Sequence, residues 1–341
     1  MSQTDITTPA SLVATRGGVS VSIRRITMRI FVTGASGWIG SAVVPELLGH
    51  GHEVVGLARS DASAAALEQA GAEVVRGSVD DLDVLGATAS ASDGVIHLAF
   101  KHDIAFSGDF AGAATSDGAA IETLGSALEG TGKPLFIASG VLGLVPPGQV
   151  GTEADGHDVD PSAVGPAARA LNAELALSFA RRGVRSGTVR LAPTVHGDGD
   201  EGFMASIVGV ARETGVSAYV GDGSNRWPAV HRSDAARLYR LAVEQAPAGS
   251  TLHGVAEEGV SFRDIAEAIG RQLDVPVRSI EPADAAAHFG WLGGFIGLDS
   301  VASSAATRDL LGWQPTGPTL LEDLDAGHYT RSSRADWAPA T

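Results

Sequence analysis

Three glycines, Gly34, Gly37 and Gly40, follow Thr33 with two residues between each and the next. Glycine accepts the backbone angles of a tight turn and lets another molecule come close to the main chain. Such a turn, leaving a strand and opening a helix, aims free N–H groups and the positive end of the helix dipole at one point, which suits a phosphate. Gly34 would make the turn, Gly37 would clear the approach of a pyrophosphate, and Gly40 would let the helix pack on the strand. Thr33, Ser36, Trp38 and Ile39 complete the lining of a dinucleotide site. Farther along, Arg59 and Ser60 carry a guanidinium and a hydroxyl that can take a 2′-phosphate, which predicts NADP rather than NAD. The plainer reading of Arg59 is a solvated loop arginine.

The surrounding pattern supplies the elements that must position these groups. Residues 29–33 (RIFVT) form a short apolar run, as a buried parallel strand does. Apolar positions at Ile39, Val43, Val44, Leu47 and Leu48 predict a helix over 38–48, closed by Gly49 and Gly51. Residues 53–58 read as a second strand that ends at Arg59 and Ser60, where such folds select their cofactor. Helix 62–70, strand 73–76, helix 82–89, strand 94–98, helix 111–130, strand 133–138, helix 166–182 and strand 184–191 continue the alternation. This defines an α/β chain with a Rossmann-type doubly wound parallel sheet. His102 follows the fourth strand and Ser139 the fifth, which brings both to the sheet edge of the glycine turn. A serine at a strand end also serves simply as a cap or turn residue.

The run TGASGWIG over 33–40 resembles the TGxxGxxG fingerprint of the short-chain dehydrogenase/reductase superfamily. Its form is that of the extended and atypical branches, which include sugar-nucleotide epimerases, dehydratases and dihydroflavonol-type reductases. His97-Leu98-Ala99-Phe100 is similar to a cofactor-lining element of extended relatives. Gly77-Ser78-Val79 stands where relatives carry Gly-Asp-Leu beside the adenine, with Asp80 available to replace the missing aspartate. Ser139 matches the active-site serine. Pro193-Thr194-Val195-His196-Gly197 resembles a PxxVYG turn beside the nicotinamide, with His196 in place of tyrosine. The block Gly221-Asp222-Gly223…Arg226…Val230-His231…Asp234 resembles a GDG…R…VH…D element in which the arginine binds substrate phosphate. Here His231 and Asp234 are read as structural. Arg308–Pro315 matches a frequent C-terminal element, so the likeness runs from about Met28 to Tyr329.

The resemblance implies a smaller C-terminal substrate lobe, and it breaks at one place. Relatives carry Tyr-x-x-x-Lys, in which the tyrosine gives the proton. Here Tyr219, Tyr239 and Tyr329 are followed four residues later by Gly223, Val243 and Ser333, and the only lysines are Lys101 and Lys133. Arg169 takes the lysine's place and is expected to hold cofactor, but its high pKa makes it a poor proton relay. Asp117 replaces a usual structural asparagine.

The expected function is an NADP(H)-dependent oxidoreductase acting on a small-molecule carbonyl or alcohol. Ser139 would hold the substrate oxygen, and His196, His102 or water would donate the proton. The alternatives are an NADP-binding redox sensor without turnover and a sugar-nucleotide epimerase or dehydratase. The chain has 341 residues, 44% of them hydrophobic, no cysteine and a net charge of −16. This excludes thiolate chemistry and argues against nucleic-acid or anionic-membrane partners. No apolar run reaches the ~20 residues of a membrane span, and no metal-ligand spacing occurs. The protein is expected to be cytoplasmic. Residues 1–27 are expected to be disordered, 28–195 and about 225–256 to form the core, 196–224 and 257–330 the substrate lobe, and 331–341 a flexible tail. Residues 282–311 are expected to be helical with an apolar break at 290–295, and to form a substrate-lobe lid or the surface of a homodimer.

Overall fold

The first strand, β1 (Arg29–Thr33), is buried from Ile30 onward and runs into the glycine turn. It is followed by α1 (Gly40–Gly49), β2 (Glu53–Ala58), α2 (Asp61–Ala70), β3 (Glu73–Arg76), α3 (Leu82–Ser90) and β4 (Gly94–His97). After a short helix, α4 (His102–Phe106), come α5 (Phe110–Ala127), β5 (Pro134–Gly140), α6 (Ala168–Ser178) and β6 (Arg185–Leu191). The computed structural model describes residues 27–160, 162–163 and 167–331, together with a strand pair, Ala14–Thr15 against Gly18–Val19. The rest of the expected N-terminal extension, and the expected tail beyond Arg331, lie outside the described residues.

After β6 the chain leaves the main sheet. It forms β7 (Thr194–His196), α7 (Phe203–Thr214), β8 (Ser217–Val220) and β9 (Arg226–His231), then returns through α8 (Arg232–Gln245) and β10 (Ser250–Gly254). The seven-stranded sheet has the order β10-β6-β5-β4-β1-β2-β3, and every pairing is parallel. The strand order reverses between β1 and β4, so a crevice opens at their carboxyl ends, where such sheets bind ligands. One face is covered by α1 and α8 through Val43, Leu47, Leu238 and Tyr239. The other is covered by α3, α5 and α6 through Leu85, Ile121, Leu124 and Ala176. These strands are apolar throughout because both faces are covered. Each fully buried leucine or isoleucine contributes about 1.5–3 kcal/mol.

The lobe has its own core, built on Met204, Trp227, Phe262, Ile269 and Leu292. β9 pairs with β7 and with β11 (Glu257–Ser261) in a separate three-stranded sheet, with Trp227 and Ala229 packed in the lobe's core and Val230 in the core of the main sheet. Ser261 caps α9 (Phe262–Leu273), its Oγ accepting from Asp264 N. The helical stretch expected over 282–311 is broken into pieces. Ala285–Phe289 ends at Gly290, whose φ of +58° an L side chain resists. Trp291 and Phe295 then pack on Phe203, which lies edge-on to Trp227. Among the described residues no helix is long and apolar enough to cross a membrane.

Candidate dinucleotide site

The glycine turn is tight for reasons visible in its contacts. Gly34 has φ +65°, and a Cβ there would lie 2.7 Å from Ala99 N. A Cβ on Gly40 would lie 2.1 Å from Gly34 O. Gly37 N donates to Gly34 O at 3.0 Å and closes the turn. The helix begins at Gly40 rather than Trp38, and no side chain caps its N-terminus. The first turn is therefore open to an anion, with Ser36 and Gly37 exposed beside it. Trp38 turns toward the lobe: its Nε1 donates to Val195 O at 2.8 Å, and Arg232 lies 4.2 Å above the ring. Ile39 and Pro193 are half-buried.

A buried polar chain crosses beneath the turn. Thr33 Oγ1 and His97 Nδ1 are 2.7 Å apart, His97 Nε2 and Asp117 Oδ1 are 3.1 Å apart, and Asn172 Nδ2 donates to Asp117 Oδ2 at 2.7 Å. Thr33 Oγ1 also accepts from Leu98 N and Ala99 N. Every group is satisfied if threonine donates to Nδ1 and Nε2–H donates to the carboxylate. Burial alone would raise the Asp117 pKa, but the His97 bond and charge, Arg169 and Asn172 hold it below the ordinary value. Sequence reasoning does not reach Asn172, and it names His97 only as the first residue of the 97–100 element. The available signal was Asp117 itself, a charge among the apolar positions of α5.

At the carboxyl end of β2, Arg59 is exposed, with Nη1 3.9 Å from Asp103 Oδ2. Ser60 caps α2 in a reciprocal pair with Ser63, so its hydroxyl already has a structural role. Ser78 donates to Asp81 Oδ2 through N and Oγ. Val79 is half-buried next to Asp80, whose carboxylate takes Lys101 Nζ at 2.6 Å and Ser116 Oγ at 2.8 Å. Asp80 is thus engaged across the crevice with the segment after β4.

Leu98, Ala99 and Phe100 are half-buried past β4, and Ser139 is half-buried at the end of β5. Arg169, in the first turn of α6, stacks on Phe100 at 4.1 Å and donates to Ala138 O at 3.3 Å. His102 meets Phe100 edge-on at 5.0 Å. It is exposed, yet desolvation by the surrounding protein and the Arg169 charge push its pKa down to about 4. The imidazole is therefore neutral at physiological pH. Ser139, Arg169, Phe100 and the turn form one continuous edge.

His196 is placed elsewhere. It has no exposed surface, and its Nδ1 lies 2.6 Å from Asp323 Oδ2. His231 and His328 approach the same carboxylate at 3.8 and 3.4 Å. The ring is thus a brace between the turn after β6 and the C-terminal helix Leu320–Asp325, and it offers no face to a ligand. Arg226 is also committed: it forms a two-pronged pair with Asp299, with both contacts at 3.0 Å. His231 accepts from Ser233 N at the start of α8, and Asp234 takes Thr316 N and Gly317 N. Both positions fit their structural reading.

The parallel sheet, its switch point and the uncapped glycine turn define a Rossmann-type fold. Residues 30–253 match the NAD dependent epimerase/dehydratase family, and the chain belongs to it, within the extended short-chain dehydrogenase/reductase group. An uncharacterized protein of Schizosaccharomyces pombe, C2A9.02, is 46% identical over 302 residues, spanning 89% of this chain and 100% of that one. Among solved structures, the dTDP-glucose 4,6-dehydratase DesIV of Streptomyces venezuelae, with NAD bound, shares the fold with a TM-score of 0.72 at 20% identity, over 90% of this chain and 98% of that one. The UDP-glucose 4-epimerase of Thermotoga maritima gives 0.71 at 22% identity, over 89% and 99%.

Proposed function

We propose that the protein is an NADP(H)-dependent oxidoreductase that interconverts a small-molecule carbonyl and its alcohol. The observation that carries this reading is the continuous edge from the uncapped glycine turn through Ala99, Phe100 and Arg169 to Ser139. The turn fits a dinucleotide, since a Cβ at Gly34 or Gly40 would strike backbone and the first turn of α1 has no side-chain cap. Arg59 is the group that would meet a 2′-phosphate. Ser60, tied into its cap, would contribute less. The nicotinamide supplies the hydride when bound. The carbonyl carbon gains that hydride, the C=O π pair moves to oxygen, and the oxygen takes a proton.

Ser139 Oγ–H would donate to the oxygen as charge develops on it. His196 is braced inside the protein and His102 is neutral at physiological pH, so water is the proton source this site favours, with His102 and Phe100 forming the pocket wall. The same features favour a second reading, in which NADP is held without turnover: the sequence has no Tyr-x-x-x-Lys pair, and among the described residues no histidine at this edge is both exposed and cationic. Sugar-nucleotide chemistry remains compatible with the family, but Arg226 would first have to leave Asp299. The deciding experiment follows NADPH oxidation by the purified protein against a panel of aldehydes, ketones and oxo acids. Tight NADPH binding without oxidation of any substrate would replace the reductase with the sensor.

A further inference from the structure

Arg169 is a cation short of an anion. Among the described residues its guanidinium donates only to Ala138 O, at 3.3 Å, although the group carries five N–H donors. Phe100 covers one flat face at 4.1 Å. No carboxylate of the described residues lies within ion-pair distance. Asp117, whose charge reaches Arg169, is already bonded to His97 and Asn172. Nearby cations differ, because Lys101 is paired with Asp80 and Arg59 faces Asp103. In a chain of net charge −16, a half-buried guanidinium left without a carboxylate marks a place for an outside anion.

That anion is not the cofactor's pyrophosphate, which belongs at the glycine turn. Ser139, the residue after the Ala138 carbonyl that holds Arg169, has a hydroxyl with no hydrogen-bond partner among the described residues, so a hydroxyl donor stands one residue from the carbonyl that receives the cation. A planar fork matches a carboxylate with two parallel hydrogen bonds, and the half-buried setting strengthens them.

We propose that Arg169 anchors a carboxylate of the substrate, so that the protein acts on small oxo acids and the corresponding hydroxy acids. The reacting oxygen rests on Ser139, and the acid group rests on the Arg169 fork. This deepens the oxidoreductase reading and rests on it for the reaction, though not for the binding. It also moves Arg169 from the cofactor, where the sequence pattern suggested it, to the substrate.

The test is a calorimetric titration of NADPH-saturated protein with oxalate, which carries carboxylates but cannot be reduced, and with its neutral analogue oxamide. Oxalate should bind and oxamide should bind far more weakly. Arg169→Leu should weaken oxalate by at least ~30-fold, as expected for losing a charge-assisted pair, and change NADPH affinity by less than ~3-fold. Arg169→Lys, which keeps the charge and loses the fork, should fall between and covers the case in which the leucine variant does not fold. Equal binding of oxalate and oxamide by wild type overturns the proposal. So does a loss of NADPH affinity in Arg169→Leu as large as the loss of oxalate affinity, which would return Arg169 to the cofactor. If NADPH fails to bind at all, the oxidoreductase reading falls, and the oxalate titration of cofactor-free wild type against Arg169→Lys still decides the anion site.

Discussion

Asn172 Nδ2 donates to Asp117 Oδ2 at 2.7 Å, and this bond fastens the helix that carries Arg169 to α5, which His97 and Thr33 in turn tie to the strand edge of the glycine turn. Arg169 lies three residues before Asn172, one helical turn away on the same side. Gly118 makes the contact possible, because a Cβ there would lie 2.9 Å from Asn172 Oδ1. Removing the carboxylate leaves His97 Nε2 and Asn172 Nδ2 short of a partner in a buried place. Asp117→Ala should therefore cost roughly 2–4 kcal/mol in urea unfolding at neutral pH. The Asp117 pKa is depressed in the folded state, so its stabilisation is present above the unfolded value and fades as pH falls through the folded one. The gap between wild type and variant should narrow in acid. A gap that is constant across pH would mean that the carboxylate charge contributes nothing.

Cofactor choice is expected to rest on Arg59. Calorimetry should show NADPH binding more tightly than NADH, and Arg59→Ala should lose most of that preference, about tenfold for one exposed charge-assisted contact. Ser60→Ala should instead lower the melting temperature by loosening the α2 cap. Equal affinities for the two cofactors in wild type would remove the 2′-phosphate from the account.

The pH profile tests the proton source. With its pKa at about 4, His102 should produce no inflection in kcat between about pH 5.5 and 8, and His102→Gln should keep that flat profile. Ser139→Ala should lower kcat by ~10²-fold or more with little change in NADPH affinity. An inflection near pH 6.5 that vanishes in His102→Gln would make the imidazole the donor after all.

Asp200 gives a prediction of opposite sign. Burial pushes its pKa up to about 6, although backbone N–H groups, the Tyr329 hydroxyl and the His196 charge oppose the shift. An acid raised on folding favours the fold most below its unfolded pKa and loses that advantage as pH climbs to the folded value. Asp200→Asn keeps an acceptor for Tyr329 and removes the charge. Its melting temperature should exceed that of wild type at pH 8 and converge with it near pH 4. A variant less stable at pH 8 would show that the carboxylate is needed in its charged form.

The architecture was legible wherever local pattern decides structure. The alternation of apolar runs with helical periods located the strands of the main sheet within a residue or two, and the glycine spacing marked the turn, because Gly34 and Gly40 admit no side chain. What could not be read was pairing over long distances. Nothing local to His196 shows that Asp323 will meet it, so a histidine in a turn near the chemistry looked like a proton donor when it is a brace. Arg226 resembled a phosphate ligand until Asp299, in a segment expected to be helical, took both prongs. Asp117 stood out as an unusual charge, but its meaning required His97 and Asn172 from two other elements.

The brace at His196 also bears on the order in which the chain can be completed during synthesis. All seven strands of the main sheet have been made once Gly254 has emerged. His196 is synthesised well before that, but its partner Asp323 comes 127 residues later, close to the end of the described chain. On a ribosome the nucleotide half can therefore assemble while an uncompensated imidazole and the apolar face beneath Leu320 and Leu324 are still waiting for cover. A chain cut short before Leu320 would keep its glycine turn and leave the lobe unfinished, with its sticky interior exposed to chaperones and proteases.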